Sequence, residues 1–298
     1  MLAQLLQRMI LAQWALGAGL GYLLVAYANQ PGWVPWVTAA LMPLLTMALV
    51  DVVSALQSMA PGEPMRMWWR SLWGEYLAGV RIFLLRQPWA TGTPAVLPAT
   101  GTSTQVPVVL VHGYLCNHRI WDPIATALRA DGHAVLAVDL EPLFTSIDDY
   151  APTVEAAVRA LCQHTGADQV ALVGHSMGGL AIRAWMRAEG THRVARVLTL
   201  GTPHAGTRIK PNRHALNGRQ MAWHSDWLQQ LSAQESEATR ALVRIAITPQ
   251  DNIVFPQRAQ VLPGATAVVF EGIGHLQMCL DAQVIAWVRE QLAPASST

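Results

Sequence analysis

Residues 173–179, Val173-Gly174-His175-Ser176-Met177-Gly178-Gly179, decide the fold of this chain. The apolar run Val170–Val173 enters this segment and predicts a strand, and the residues that follow it favour a helix. Between a strand and a helix, G-x-S-x-G forms a strained turn that exposes the serine hydroxyl. Gly174 and Gly178 keep Cβ atoms out of this tight crossing. We therefore predict a nucleophile at Ser176, in preference to a glycine-rich turn that only links strand to helix.

Composition indicates a membrane protein with one large domain. The chain has 298 residues, of which 52% are hydrophobic and 13% are charged. This charge content is about half of the roughly 25% that is usual in soluble domains. A net charge of +1 argues against nucleic acid as a partner. The three cysteines are far apart and form no C-x-x-C, which argues against a disulfide framework or a zinc site.

The N-terminal part of the chain predicts a membrane anchor. There is no charged residue between Arg8 and Asp51, and the turn signal Asn29-Gln30-Pro31-Gly32 divides this run. A spanning helix needs about 20 apolar residues, so two transmembrane helices fit, at Met9–Ala28 and Val34–Ser54. A buried hairpin of a soluble protein is the alternative, which the length of the uncharged run disfavours.

Flanking charge predicts the orientation of this anchor. Arg8 precedes the first helix, several arginines follow the second, and the loop between them has none. The positive-inside rule then places the large domain on the cytoplasmic side of a bacterial inner membrane. Ala26-Tyr27-Ala28 resembles a signal-peptidase site, but cleavage there leaves the second helix as an anchor with the same sidedness. The domain would be exported only if the second segment does not span.

We expect three regions along the chain. Residues 1–60 form the anchor, 61–105 an interfacial helix and linker, and 106–298 the catalytic domain, with a cap insertion near 204–242. The helix is predicted from apolar residues at helical spacing, which are Trp69, Leu72, Trp73, Tyr76 and Val80. It would lie along the membrane surface, and packing against the catalytic domain is the alternative.

Strands alternate with helices from Val106 onward. The predicted strands are Val106–His112, His133–Leu140, Gln169–Val173, Val194–Leu200, Val243–Thr248 and Thr266–Glu271. Such alternation is typical of an α/β fold with a mostly parallel sheet, here of about six strands, covered on both faces.

A second motif, His112-Gly113-Tyr114, follows the first strand of this domain. It supplies a loop whose backbone N–H can point at an oxyanion, and we expect that donor at Tyr114. The second donor should be the N–H of Met177, directly after the nucleophile. His112 is expected to orient the loop by a hydrogen bond rather than to act in catalysis.

Together the motifs resemble those of bacterial lipases and esterases of the α/β-hydrolase fold. The resemblance rests on four segments in order: Val111-His112-Gly113, Gly174–Gly179, Leu200-Gly201-Thr202-Pro203-His204 and Gly272-Ile273-Gly274-His275. It extends from about Val106 to Leu292 and does not include the predicted anchor. It implies an α/β-hydrolase fold and a triad in the chain order serine, acid, histidine.

Asp251 and His275 are the predicted acid and base. Asp251 lies just past the end of one predicted strand, and His275 lies in the loop after the last predicted strand. Both match positions where this family carries its acid and histidine. Strand C-termini meet at one edge of a parallel sheet, so distant residues converge there. His275 would take the proton of Ser176, Asp251 would fix the imidazole tautomer, and Ser176 would attack an ester carbonyl to form an acyl-enzyme.

Other candidates fit this order less well. Asp139 also ends a strand but precedes Ser176. His204 is the strongest competing histidine and is interpreted as part of the loop structure. The insertion before Leu242, with Trp223 and Trp227, predicts either an amphipathic lid or a fixed helix that completes an acyl pocket.

These patterns favour a membrane-anchored serine hydrolase that cleaves carboxyl esters of acyl lipids. An acyltransferase of the same fold, or a non-catalytic binding module at the membrane, is the alternative. The expected partners are an acyl ester or lipid substrate and the bilayer, without nucleic acid. No cofactor and no metal is implied.

Overall fold

The computed structural model describes residues 1–90, 92–101, 105–210 and 214–293. Short parts of the predicted linker and cap, and the C-terminal end of the predicted catalytic domain, lie outside these residues. Six strands form one sheet with all neighbours parallel, in the order β2-β1-β3-β4-β5-β6. Their bounds are β1 Val108–Val111, β2 Val135–Ala137, β3 Val170–His175, β4 Val194–Leu200, β5 Val243–Ile247 and β6 Thr266–Val269. The predicted parallel sheet of about six strands is confirmed.

Helices precede the sheet and alternate with its strands. In the described residues the α-helices are α1 Leu2–Ala28, α2 Val34–Ser58, α3 Met65–Gly79, α4 Asp122–Ala130, α5 Ala151–Thr165, α6 Met177–Glu189, α7 Leu216–Gln220, α8 Asp226–Ala233, α9 Glu237–Ala241 and α10 Ala282–Leu292. Helix α3 continues through a π-helical segment, Val80–Arg86, and a short 3-10 turn.

The central strands are apolar because both faces of the sheet are covered. All residues of β1 and β3 are buried. On one face, Val109 and Leu172 pack with residues of α5 and α6. On the other face, Leu110 and Val173 pack with residues of α4 and α10. This layered arrangement holds the C-terminal ends of the strands in fixed positions, which is where a ligand binds in such sheets.

The edge of the sheet at β2 differs from the prediction. The strand expected at His133–Leu140 is only Val135–Ala137. Leu97, in the predicted linker, pairs antiparallel with Val135 through two backbone hydrogen bonds of 2.8 and 2.9 Å. This segment therefore covers an edge that would otherwise expose unpaired backbone groups.

Helices α1 and α2 are long and apolar enough to cross a membrane, by length and composition. A signal sequence near the N-terminus satisfies the same criterion. The two helices pack closely where Gly17 faces α2. A Cβ on Gly17 would lie 2.5 Å from the carbonyl oxygen of Thr38, so this contact leaves no room for a side chain. Most of their large apolar side chains are exposed, among them Leu11, Leu45 and Leu49.

Helix α3 packs against the sheet-containing part of the chain. Its buried residues are Trp68, Ser71, Glu75, Ala78 and Gly79. Trp69 and Trp73, which belong to the stripe that we predicted to lie on the membrane, are exposed on the opposite face. One face of the helix therefore packs against the catalytic domain, as the alternative interpretation expected. The exposed tryptophans leave the opposite face free to meet a bilayer.

Candidate active site

Ser176 lies at the turn between β3 and α6 in a strained backbone conformation. Its φ is 54° and its ψ is −128°, values that are rare outside glycine and cost about 1–3 kcal/mol. The backbone N–H of Ser176 donates to the carbonyl of Leu200 at 2.9 Å and holds the turn in place. A Cβ on Gly178 would lie 2.0 Å from the carbonyl oxygen of Val111, so the crossing requires glycine there.

Asp251 and His275 form a buried hydrogen-bonded pair. Nδ1 of His275 lies 2.7 Å from Oδ2 of Asp251. The other carboxylate oxygen, Oδ1, accepts hydrogen bonds from the backbone N–H groups of Ile253 at 2.8 Å and Val254 at 2.7 Å. Because an ionised carboxylate only accepts, Nδ1 carries the proton and Nε2 keeps a free lone pair. This is the tautomer that a general base requires.

The surroundings of His275 tune its basicity. Burial by itself would lower the pKa of the imidazole, but the charge and hydrogen bond of Asp251 and the charge of Glu75 together raise it above its ordinary value. A raised pKa makes Nε2 a stronger proton acceptor near neutral pH.

His175 links the histidine loop to the nucleophile turn. Its Nε2 lies 3.0 Å from the carbonyl oxygen of His275, and the two rings are 4.6 Å apart between centroids. Since His175 directly precedes Ser176, this contact holds the His275 loop near Ser176. Within the described residues, Oγ of Ser176 and Nε2 of His275 form no hydrogen bond. Catalytic hydrogen bonds of this kind often tighten only when substrate binds.

Two residues that flank the Ser176 region line one small cavity with unpaired backbone N–H groups. Tyr114 and Met177 both line this cavity together with Gly113. Among the described residues, the N–H groups of Tyr114 and Met177 have no acceptor. A Cβ on Gly113 would lie 2.7 Å from Cβ of Ser176, which shows how closely this loop approaches the nucleophile. Unpaired backbone N–H groups beside one cavity are the kind of donors that can stabilise an oxyanion.

His112 orients the loop that carries Tyr114. Its Nε2 accepts a hydrogen bond from the N–H of Leu140 at 3.0 Å, so the proton is on Nδ1, which donates to the carbonyl of Gly113 at 2.8 Å. Burial lowers the pKa of His112 below its ordinary value and keeps it neutral. Both ring nitrogens are used by backbone groups, so His112 has no free nitrogen for proton transfer.

The competing candidates have other partners. Nε2 of His204 lies 3.0 Å from Oγ1 of Thr199, and its Nδ1 lies 3.3 Å from Nη1 of Arg183. Burial, together with the Arg183 charge, lowers the pKa of His204 well below its ordinary value. Asp139 accepts hydrogen bonds from the backbone N–H and from Nδ1 of His118. Neither residue is paired with the Ser176 turn.

The insertion near 204–242 forms α7, α8 and α9 in its described part. Leu228 and Leu231 of α8 are buried. Arg183 of α6, which is fully buried, forms a two-pronged ion pair with Glu235, with N–O distances of 2.6 and 2.8 Å. These contacts favour a fixed cap rather than a moving lid, because opening would break the buried ion pair and expose Leu228 and Leu231 to water.

Glu75 of α3 is a site residue that the sequence interpretation missed. Its two carboxylate oxygens accept hydrogen bonds from the backbone N–H groups of Leu276 at 3.0 Å and Gln277 at 3.1 Å. These are the two residues that follow His275. Burial raises the pKa of Glu75 to about 7, against the opposing effects of the His275 charge and of these two hydrogen bonds. One feature of the sequence could have pointed to Glu75, because it is the one acidic residue between Met65 and Trp89.

The loop that carries Asp251 also contacts the N-terminal helices. Ser71 of α3 donates to the carbonyl of Gln250 at 3.1 Å, and Asn252 donates to Oγ of Ser54 in α2 at 2.9 Å. Gln257 donates to the carbonyls of both Ser58 and Asp251, at 2.9 and 2.8 Å. Helices α2 and α3 therefore hold the loop that carries Asp251 in place.

In the part of the chain that the structure describes, there is no group of three or more metal-ligating side chains.

Comparison with known proteins agrees with the fold described above. Residues 106–242 match the family model of the alpha/beta hydrolase fold. A triacylglycerol lipase of Burkholderia plantarii is 35% identical over 129 residues, which is 40% of this chain and 36% of the relative. A triacylglycerol lipase of Pseudarthrobacter phenanthrenivorans is 36% identical over 119 residues, or 37% of each chain. The chain thus spans little more than a third of these relatives.

The mature form of Bacillus licheniformis lipase BlEst2 has a similar structure, with a TM-score of 0.57 at 18% identity over 68% of this chain and 98% of that one. At this identity the likeness concerns the fold alone. The sheet order, the strained serine turn between β3 and α6, and the match of residues 106–242 lead to one assignment. The part of the chain that contains the six-stranded sheet has the α/β-hydrolase fold.

Proposed function

We propose that this chain is a membrane-anchored serine hydrolase that cleaves carboxyl esters of acyl lipids. The observation that carries the proposal is the buried pair of His275 and Asp251, held through His175 beside the strained Ser176. The triacylglycerol lipases that match over parts of the chain support acyl esters as the substrate class.

Acylation follows from the arrangement of these groups. Oγ of Ser176 attacks the ester carbonyl carbon while its proton moves to Nε2 of His275. The carbonyl oxygen becomes an oxyanion and accepts hydrogen bonds from the N–H groups of Tyr114 and Met177. His275 then gives its proton to the departing alkoxide, so the alcohol leaves and the acyl group remains on Ser176. Asp251 stays ionised and stabilises the imidazolium.

Deacylation repeats the same steps with water. His275 removes a proton from a water molecule, whose oxygen attacks the acyl carbon. The second tetrahedral intermediate collapses, His275 returns a proton to Oγ of Ser176, and the acid leaves. An alcohol in place of water gives acyl transfer. Product analysis with a competing alcohol therefore separates a hydrolase from an acyltransferase.

In this proposal residues 1–60 are the anchor and residues 106–298 are the catalytic domain, with the segment 61–105 between them. Arginines lie near the start of the first apolar helix and after the second, with none in the loop between them, and this pattern supports a cytoplasmic position at a bacterial inner membrane. A C-terminal reporter that is active on one side of the membrane only tests this orientation. Reporter activity outside the cytoplasm would overturn the sidedness.

Labelling with a fluorophosphonate probe tests the catalytic proposal. The full chain in detergent should react covalently, and Ser176→Ala should abolish both labelling and ester hydrolysis. Ser236→Ala, which changes an exposed serine in the cap, is the control and should label as the wild type does. A folded wild-type chain that takes no label would support the non-catalytic binding module instead.

A further inference from the structure

An apolar cavity lies between the two candidate membrane helices and the catalytic loops. Its volume is about 310 Å³, within the range of about 300–1,000 Å³ that is typical of ligand pockets. Leu6 and Ile10 of α1, Met47 of α2 and Phe83 of the π-helical segment line it, together with two leucines of the catalytic loops. Cap residues do not contribute to its lining in the described part of the chain.

The two loop residues place this cavity beside the reacting groups. Leu115 directly follows Tyr114, the oxyanion donor, and Leu276 directly follows His275. Leu115 also lines the small oxyanion cavity, so it separates the two spaces. Its φ is 55°, an unusual conformation for a large side chain. An ester whose carbonyl lies at Ser176 can therefore direct its chain past Leu115 toward α1 and α2.

The polar groups of the cavity are few. Gln13 donates to Oγ1 of Thr46 at 3.0 Å, which pairs these two side chains with each other. Asp51 also lines the cavity, and its Oδ2 is buried without a hydrogen-bond partner among the described residues. The charge of Asp51 contributes to the raised pKa of Glu75, so Asp51 lies at the end of the cavity nearest the catalytic loops. The remaining lining suits hydrocarbon and offers nothing to a charged or sugar-like group.

We infer that this cavity holds the acyl chain of a membrane lipid ester, an inference that rests on the proposed function. The chain enters between α1 and α2, directly from the bilayer in which these helices lie. The exposed apolar faces of α1 and α2 continue the cavity lining to the surface. The N-terminal helices then form part of the substrate site in addition to anchoring the enzyme. A second cavity, of about 280 Å³ beneath the cap and lined by His204 and Leu228, is the competing position.

Chain-length selectivity tests this inference in the full chain. Met47→Trp places an indole in the cavity, and Leu45→Trp adds the same side chain on the exposed face of the same helix. In detergent micelles, the ratio of kcat/KM for p-nitrophenyl palmitate to that for p-nitrophenyl butyrate should fall at least tenfold in Met47→Trp. It should stay near the wild-type ratio in Leu45→Trp. Equal ratios in the wild type and both variants would overturn the inference.

Photocrosslinking in the wild-type chain gives a result that does not depend on a variant. A fluorophosphonate with a dodecyl chain that ends in a diazirine is attached to Ser176 and then irradiated. We expect crosslinks in peptides that contain residues 5–13 or 46–51. Crosslinks in the cap, residues 214–241, would place the chain beneath the cap and overturn the inference. Absence of any adduct at Ser176 would instead overturn the proposed function on which it rests.

Discussion

Glu75 accepts a hydrogen bond from the backbone N–H of Gln277 at 3.1 Å across 202 residues of sequence. The same carboxylate accepts from the N–H of Leu276, so a helix outside the sheet-containing region fixes the loop that carries His275. The orientation of His275 therefore depends on α3, which follows the candidate membrane helices in the chain.

We expect Glu75→Gln to move the acid limb of the kcat/KM profile to lower pH. His275 must be neutral to act as a base, and the Glu75 charge contributes to the raised pKa of that imidazole. Removing the charge lowers the pKa of His275, so activity survives to lower pH. A lost charge-assisted hydrogen bond should also reduce kcat, by about tenfold.

The other titratable groups near Glu75 are Asp51, Cys116 and Cys279. Burial raises the pKa of the Cys116 thiol to about 12 and that of Cys279 well above its ordinary value, so both stay neutral in this range. Glu63→Gln is the control, because Glu63 pairs with Arg258 and does not contact the histidine loop. Superimposable pH profiles of wild type and Glu75→Gln would contradict this role.

Asp251→Asn should lower kcat by about 10⁴-fold with little change in thermal stability. The asparagine oxygen can still accept from Ile253 and Val254, but its amide donates to Nδ1 of His275. The imidazole proton then moves to Nε2, which can no longer accept from Ser176. Initial rates on p-nitrophenyl butyrate measure the loss. Asp139→Asn serves as the comparison, and a similar loss there would question the assignment of the acid.

Gly178→Ala should destabilise the chain by more than about 3 kcal/mol or prevent folding. The added Cβ would lie 2.0 Å from the backbone carbonyl oxygen of Val111, which no side-chain rotation can move away. Gly19→Ala is the control, since a Cβ at Gly19 meets nothing within 4 Å. Unfolding midpoints in the same detergent compare the two variants. Equal midpoints would show that the strand and helix cross less tightly than described.

Glu235→Ala should lower the free energy of unfolding by about 3–5 kcal/mol, because it leaves the buried Arg183 without a carboxylate partner. The double variant Arg183→Met with Glu235→Leu should recover most of this loss, since it removes both charges. Denaturant unfolding of the full chain measures both effects. A small cost for Glu235→Ala would mean that water reaches the guanidinium and that the cap opens in solution.

Much of the fold was predictable because its signals are local. Six apolar runs, each next to a turn or helix signal, gave the strands of the sheet, and the glycines around Ser176 predicted the turn. Strand β2 was overestimated because apolar residues continue beyond the three that pair with β1. The pairing of Leu97 with Val135 was missed because one residue in an irregular segment has no periodicity to detect.

The sequence by itself determined the parallel sheet and the serine turn. It also predicted that Asp251 and His275 lie at one edge of the sheet, because strand C-termini converge there whatever the details of packing. Only the tertiary structure decided which face of α3 is buried. The apolar spacing around Trp69 and Trp73 indicated an amphipathic helix, but the packed face carries Glu75. That face is set by long-range hydrogen bonds to the loop after His275, which leave no local pattern in the sequence.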